Sequence, residues 1–143
     1  MTGAPGAAPP EPGWLALVGV EGLLRGEVLL LAPGQSATVG RGSGSTLPLT
    51  RSAGYRAMSG NPLALREACQ GVSRKHFLVE APAPGEAVVS DLSRAGTVLD
   101  GSRLSGPVHL RDLRDRTHEV RFGRGERLEL RWVGAAPAAA PVA

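Results

Sequence analysis

Apolar residues in this chain come in short runs punctuated by glycine, proline and charge, not in long helical stripes. Trp14 to Val20 reads as a first strand, and Glu21-Gly22 as the turn after it. Glu27 to Leu31 is a second strand, stopped by Ala32-Pro33-Gly34. Ala37 to Gly40 is short and β-prone, and Leu47 to Leu49 is a brief strand limited by Pro48. The strand pattern resumes at His76 to Glu80, Ala87 to Asp91, Thr97 to Leu99, Val108 to Leu110, Glu119 to Phe122 and Arg127 to Val133. In the last run Leu128, Leu130 and Trp132 alternate with Arg127, Glu129 and Arg131, the pattern of a half-buried antiparallel strand. Many short strands with frequent turn signals predict an all-β sandwich or barrel.

One stretch breaks this rhythm. Between residues 50 and 71, Asn61 is placed to cap a helix with Pro62 in its first turn, running through Leu63 and Leu65 to Cys69 and ending at Gly71. One short helix is therefore predicted inside a 50–71 insertion. Leu63, Leu65 and Cys69 supply a face that can rest on the sheet. Residues 1–12 and 135–143 are rich in Ala, Pro and Gly and are expected to be disordered tails around a domain at 13–134.

Composition narrows the class. A chain of 143 residues with 42% hydrophobic residues suffices for one domain with a modest core. Cys69 is the only cysteine, which excludes an internal disulfide and cysteine-rich metal sites. His76, His109 and His118 share no metal-ligand spacing, so no cofactor is expected. No apolar run has the length of about 18 residues that spans a membrane. With no basic-then-apolar leader either, a cytoplasmic setting is expected. A net charge of +3 fits an acidic or phosphorylated partner. Lys75 is the only lysine; the other cations are arginines, whose planar fork of donors suits phosphate and carboxylate.

Three segments carry candidate chemistry, all at predicted loops: Gly40-Arg41, Ser73-Arg74-Lys75-His76 and Ser93-Arg94-Ala95-Gly96-Thr97. Arginines, a serine hydroxyl and loop N–H groups converging on one concavity are the parts that hold a phosphate. Together with the stretch Asp91 to Gly101 and the closing Gly125-Glu126-Arg127-Leu128, these segments resemble the forkhead-associated (FHA) domain family over roughly residues 14–133. The resemblance implies an FHA-like β-sandwich of about eleven strands whose apical loops bind phosphothreonine peptides. On it, Arg41 holds phosphate oxygens, Ser73 donates its hydroxyl, and Arg74 and Arg94 add contacts. Gly40, His76, Gly96 and Thr97 support the site. The implied partner is a phosphothreonine-containing protein, a Ser/Thr kinase or its substrate.

Two departures from the family pattern matter. Ala95 stands where an Asn usually bonds the ligand's main chain, and the 50–71 insertion lies in a loop beside the expected pocket. They favour, as an alternative, a scaffold that binds without phosphate. A small basic nucleic-acid binder is a further alternative, but Trp14, Tyr55, Phe77, Phe122 and Trp132 are scattered and form no stacking platform. An enzyme is not expected, since no nucleophile–base pair or carboxylate pair is evident. Plainer roles compete at single residues. Arg41 can be a solvated loop arginine, Ser73 a turn cap, Cys69 a small buried residue, and Asp91 a turn stabiliser. The 111–119 charge cluster reads as a solvated loop, and His109 and His118 carry no signal.

Overall fold

The computed structural model describes residues 13–134; both predicted tails lie outside the described residues. Eleven strands among them form two sheets. One sheet runs, edge to edge, through β2 (Val28–Leu31), β1 (Gly13–Glu21), β11 (Glu126–Gly134), β10 (His118–Phe122), β7 (Thr97–Leu99) and β8 (Ser102–Arg103). The other runs through β4 (Leu47–Pro48), β3 (Ser36–Gly40), β5 (Phe77–Glu80), β6 (Ala87–Asp91) and β9 (Val108–Leu110). All pairings are antiparallel except the short β3–β4 pair.

Period-two alternation builds the core. In β1 and β11, Leu17 lies opposite Leu130, and Leu15, Leu17, Leu128 and Leu130 are fully buried. Val39, Phe77, Val79 and Val89 line the inner face of the second sheet, and all join one core cluster. Burying each such side chain stabilises the fold by about 1.5–3 kcal/mol relative to exposure. Glu126, at the start of β11, is buried but not idle. Its carboxylate accepts the N–H groups of Leu23 and Leu24 at 2.7 and 3.2 Å, fastening the β1–β2 turn. Burial raises its pKa despite those two bonds.

The predicted strands are all present, with ends displaced by a residue or two. One strand was not foreseen. Asp100-Gly101 turns β7 back into β8, and both residues have positive φ (49° and 86°), the geometry that an Asp-Gly hairpin supplies.

The 50–71 insertion joins β4 to β5 and carries more than the one expected helix. A 3-10 turn (Leu49–Arg51) leads into α1 (Ala53–Ala57), and the foreseen helix follows as α2 (Pro62–Ala68). Ser52 caps α1 by accepting the Tyr55 N–H, and Asn61 caps α2 by accepting the Ala64 N–H. The face of α2 differs from expectation. Leu63 is 75% exposed, while Ala68 and Cys69 pack against the core together with Tyr55 and Met58. Cys69 is accordingly half-buried rather than buried. Neither helix is long and apolar enough to cross a membrane.

Candidate functional site

The loops β3–β4, β4–β5 and β6–β7 meet at Ser73. Its carbonyl accepts the Arg41 N–H at 2.9 Å. Its hydroxyl oxygen accepts the Arg94 N–H at 3.3 Å. Its own N–H donates to His76 Nδ1 at 3.0 Å. One serine thus joins three segments that are far apart in sequence. The hydroxyl proton of Ser73 has no acceptor among the described residues, which leaves it available to a ligand oxygen.

His76 sets this arrangement from beneath. Because Nδ1 accepts from Ser73, the ring proton sits on Nε2, which donates to the Gly96 carbonyl at 2.8 Å. The imidazole is wholly buried and tilts against Phe122 at 5.2 Å between centroids. Burial lowers its pKa below the ordinary 6.5, against the opposing pulls of the Gly96 bond and the Asp91 charge. The ring is therefore a neutral brace between two loops.

Asp91 organises the β6–β7 loop. Its Oδ1 accepts from the Ser93 N–H (3.0 Å), the Ser93 hydroxyl (2.6 Å) and the Thr97 hydroxyl (2.7 Å). Ser93 Oγ in turn accepts the Gly96 N–H at 2.7 Å. Although burial opposes ionisation, these bonds hold the Asp91 carboxyl below the usual carboxylate range. Asp91 is a turn organiser, with Thr97 buried behind it. Arg94 and Ala95 are left at the exposed tip.

The β3–β4 loop is pressed onto the β4–β5 loop. Gly42 N–H donates to the Arg74 carbonyl, and so does the buried Ser45 hydroxyl at 2.6 Å. Gly40 permits this approach, because a Cβ there would overlap the Arg74 carbonyl oxygen. Arg41, Arg74 and Arg94 all remain exposed around Ser73. Ser45 was not singled out in the sequence; a serine in a Gly-Ser loop gives no signal that it will be buried.

Two pockets flank this point. One, of about 310 Å³, lies between Arg41 and the insertion, with Tyr55, Leu65, Arg66 and Cys69 in its walls. The other, of about 240 Å³, lies beyond Ala95 and Gly96 and is lined by Arg103, Arg121 and Arg124. None of those three arginines stood out in the sequence, because they come from separate strands and a turn. His118 also corrects its sequence reading. It opens β10 and is buried, with Asp100 Oδ2 at 2.5 Å and Asp112 Oδ1 at 2.6 Å on its two ring nitrogens. The 111–119 segment is thus pinned at its end rather than wholly solvated. Among the described residues no group of three or more His, Cys, Asp or Glu is placed to hold a metal ion.

Comparison with solved structures gives the same fold. The FHA domain of an Arabidopsis thaliana hypothetical protein aligns over 99% of both chains at 24% identity, with a TM-score of 0.64. The FHA domain of a Chlamydia trachomatis protein covers 84% of this chain and 96% of its own at 17% identity, with a TM-score of 0.59. A structure from a study of phosphothreonine-dependent FHA domain interactions covers 81% and 94% at 22% identity, with a TM-score of 0.53. No curated protein matches the sequence. The model of the FHA domain matches residues 37–123, a span that takes in all three loops meeting at Ser73. With more than half of its length matched and the sandwich in place, this chain belongs to the FHA domain family.

Proposed function

We propose that this chain is a non-catalytic phosphothreonine-binding module that docks a partner phosphorylated by a Ser/Thr kinase. One observation carries the reading: Arg41, Ser73 and Arg94 come from three loops and are drawn together by the bonds of Ser73. In this reading Arg41 grips the phosphate oxygens through its planar fork, and Ser73 donates its unused hydroxyl proton. Arg74 and Arg94 add positive charge at the rim. Ala95 leaves the ligand's main chain without the side-chain partner that the family usually provides. Membership of the FHA family supports the reading. So does the likeness to a structure from work on phosphothreonine-dependent FHA interactions.

A second reading, a scaffold that binds without phosphate, is favoured by one further feature. A mostly apolar cleft of about 480 Å³ lies between the insertion and the β1–β2 turn, walled by Leu23, Met58 and Ala68. Fluorescence anisotropy with phosphothreonine, phosphoserine and unphosphorylated forms of one peptide separates the two. The first reading requires binding of the phosphothreonine form above the others. Equal binding of all three forms supports the scaffold.

A further inference from the structure

A sheet edge carries backbone groups that no neighbouring strand uses. Among the described residues four strands stand at edges: β2, β8, β4 and β9. Three of them are blunted. β8 is two exposed residues, one of them Arg103. β4 is two residues ending in Pro48, and β9 follows Pro107 and exposes His109. β2 is the longest of the four, and its residues Val28, Leu29, Leu30 and Leu31 include no charge and no proline. Its register against β1 is regular, without a bulge.

That register decides which groups are free. Gly19 N–H donates to the Glu27 carbonyl at 2.8 Å. In the alternation of an antiparallel pair, Leu29 and Leu31 then bond β1, and the N–H and C=O of Val28 and Leu30 point away from it. Ala32 belongs to the same outward set, and Gln35 Oε1 takes its N–H at 2.8 Å. No described side chain does this for Val28 or Leu30. Their side chains are left over as well, 58% and 46% exposed. They lie on the outer face of the sheet beside Val18 and Ala16, with Trp14 and the exposed Val133 further along it.

We propose that β2 is an interface with a second copy of this chain, the two β2 strands pairing antiparallel about a two-fold axis at Leu29. An antiparallel strand can complement its own copy. Val28 of each chain lies opposite Leu30 of the other, and each such pair exchanges two hydrogen bonds. The outward side chains at 28 and 30 close into one apolar patch across the axis. Residues 28–34 carry no charge, so chains of net charge +3 meet where no like charges face each other. One strand supplies both sides of this match, which favours a second copy over an unrelated strand. The contact is small beside the roughly 1,600 Å² of a standard interface, so the dimer is reversible and concentration-dependent.

The pairing has a consequence for the loops around Ser73. Gly123, just before β11, packs on Val72, so β11 starts at the Ser73 end of the sandwich. β1 therefore ends there and β2 starts there. Antiparallel pairing of β2 turns the Ser73 ends of the two copies in opposite directions. The dimer bridges two partners instead of gripping one, whatever ligand those loops take.

Sedimentation velocity of the full chain over a concentration series tests the proposal. The expected result is a monomer–dimer equilibrium with no larger species. Val28→Lys with Leu30→Lys sets four cations about the axis and abolishes the dimer, while circular dichroism shows the same fold. Disulfide linking locates the axis. At Leu29 the two Cα atoms are a facing pair about 4.5 Å apart, within the range of about 4.4–6.8 Å that a disulfide spans. With Cys69→Ser in both, Leu29→Cys links to its copy under mild oxidation, whereas Val28→Cys, set diagonally from its own copy, does not. A parent that stays monomeric throughout, species that grow beyond a dimer, or a dimer that survives the double lysine variant overturns the proposal. So does linking at position 29 no faster than at position 28.

Discussion

The Ser73 N–H donates to His76 Nδ1 at 3.0 Å, and this one bond connects the buried core to the half-buried serine of the candidate site. The acceptor exists only while the ring is neutral. Protonation puts a hydrogen on Nδ1, which then faces the Ser73 N–H donor to donor.

The first prediction follows from that bond. A histidine whose folded pKa lies below its unfolded value of 6.5 binds fewer protons when native. Its contribution to stability is therefore fully present above about 6.5 and is lost as pH falls through the lower, folded pKa. The parent should lose more stability than His76→Gln between neutral pH and moderately acidic pH. Urea unfolding of both proteins across that window provides the check, and the difference between them isolates the contribution of His76. Equal pH slopes would show that His76 is not the group responsible.

Arg41→Ala and Ser73→Ala should each weaken phosphothreonine-peptide binding at least about tenfold, since a charged hydrogen bond contributes roughly 1.5–3 kcal/mol. Neither side chain supports the core, so melting temperatures should barely move. Anisotropy titrations that matched the parent would remove both residues from the site.

Gly40→Ala should damage the site from its base. The added methyl meets the Arg74 carbonyl oxygen, part of the backbone, which can retreat only by parting the β3–β4 and β4–β5 loops. Overpacking of this kind costs about 1–3 kcal/mol. Both the melting temperature and peptide affinity should fall together. An unchanged melting temperature would mean that the loops separate freely.

The insertion should tune selectivity through the pocket that α2 shares with Arg41. Removing residues 52–68 outright would also uncover the core, because Gly54 fits closely against the Leu23 backbone. Leu65→Ala with Arg66→Ala is the cleaner change. A peptide array should show altered preferences beside the phosphothreonine and an intact phosphate requirement. An identical array profile would make the insertion a structural ornament.

Ala95→Asn should increase affinity by the net value of one or two hydrogen bonds, about 0.5–1.5 kcal/mol each. The exposed tip between Arg94 and Gly96 has room for the larger side chain. Parent binding should fall steeply with added salt, because the clamp is a set of surface charges. Calorimetry of both proteins with one peptide, at two salt concentrations, gives both quantities. No gain in a folded, phosphate-dependent variant would mean that the peptide does not run past Ala95.

What could be read from the chain alone was whatever short-range pattern governs. Alternation in Arg127 to Val133 revealed a strand with one wet face, because side chains on a strand point to opposite sides in turn. Asn61-Pro62 revealed the start of α2, because a cap acts within its own first turn. The motif loops around Arg41, Ser73 and Arg94 revealed the FHA family, because their residue types and order are visible in one dimension. The Asp100-Gly101 turn is a local signal too, but the short strand that follows it exists only as the partner of β7. The tertiary structure decided everything that depends on residues distant in sequence. It put Ser73 within bonding distance of both Arg41 and Arg94, and fixed the tautomer of His76 through Gly96. It buried His118 between Asp100 and Asp112, and turned Leu63 outward while Ala68 and Cys69 took the core. It also gathered Arg103, Arg121 and Arg124 around one cleft. No local spacing encodes such meetings; they arise when two sheets close on a common core and the loops at one end are drawn together by hydrogen bonds that a buried polar group must make.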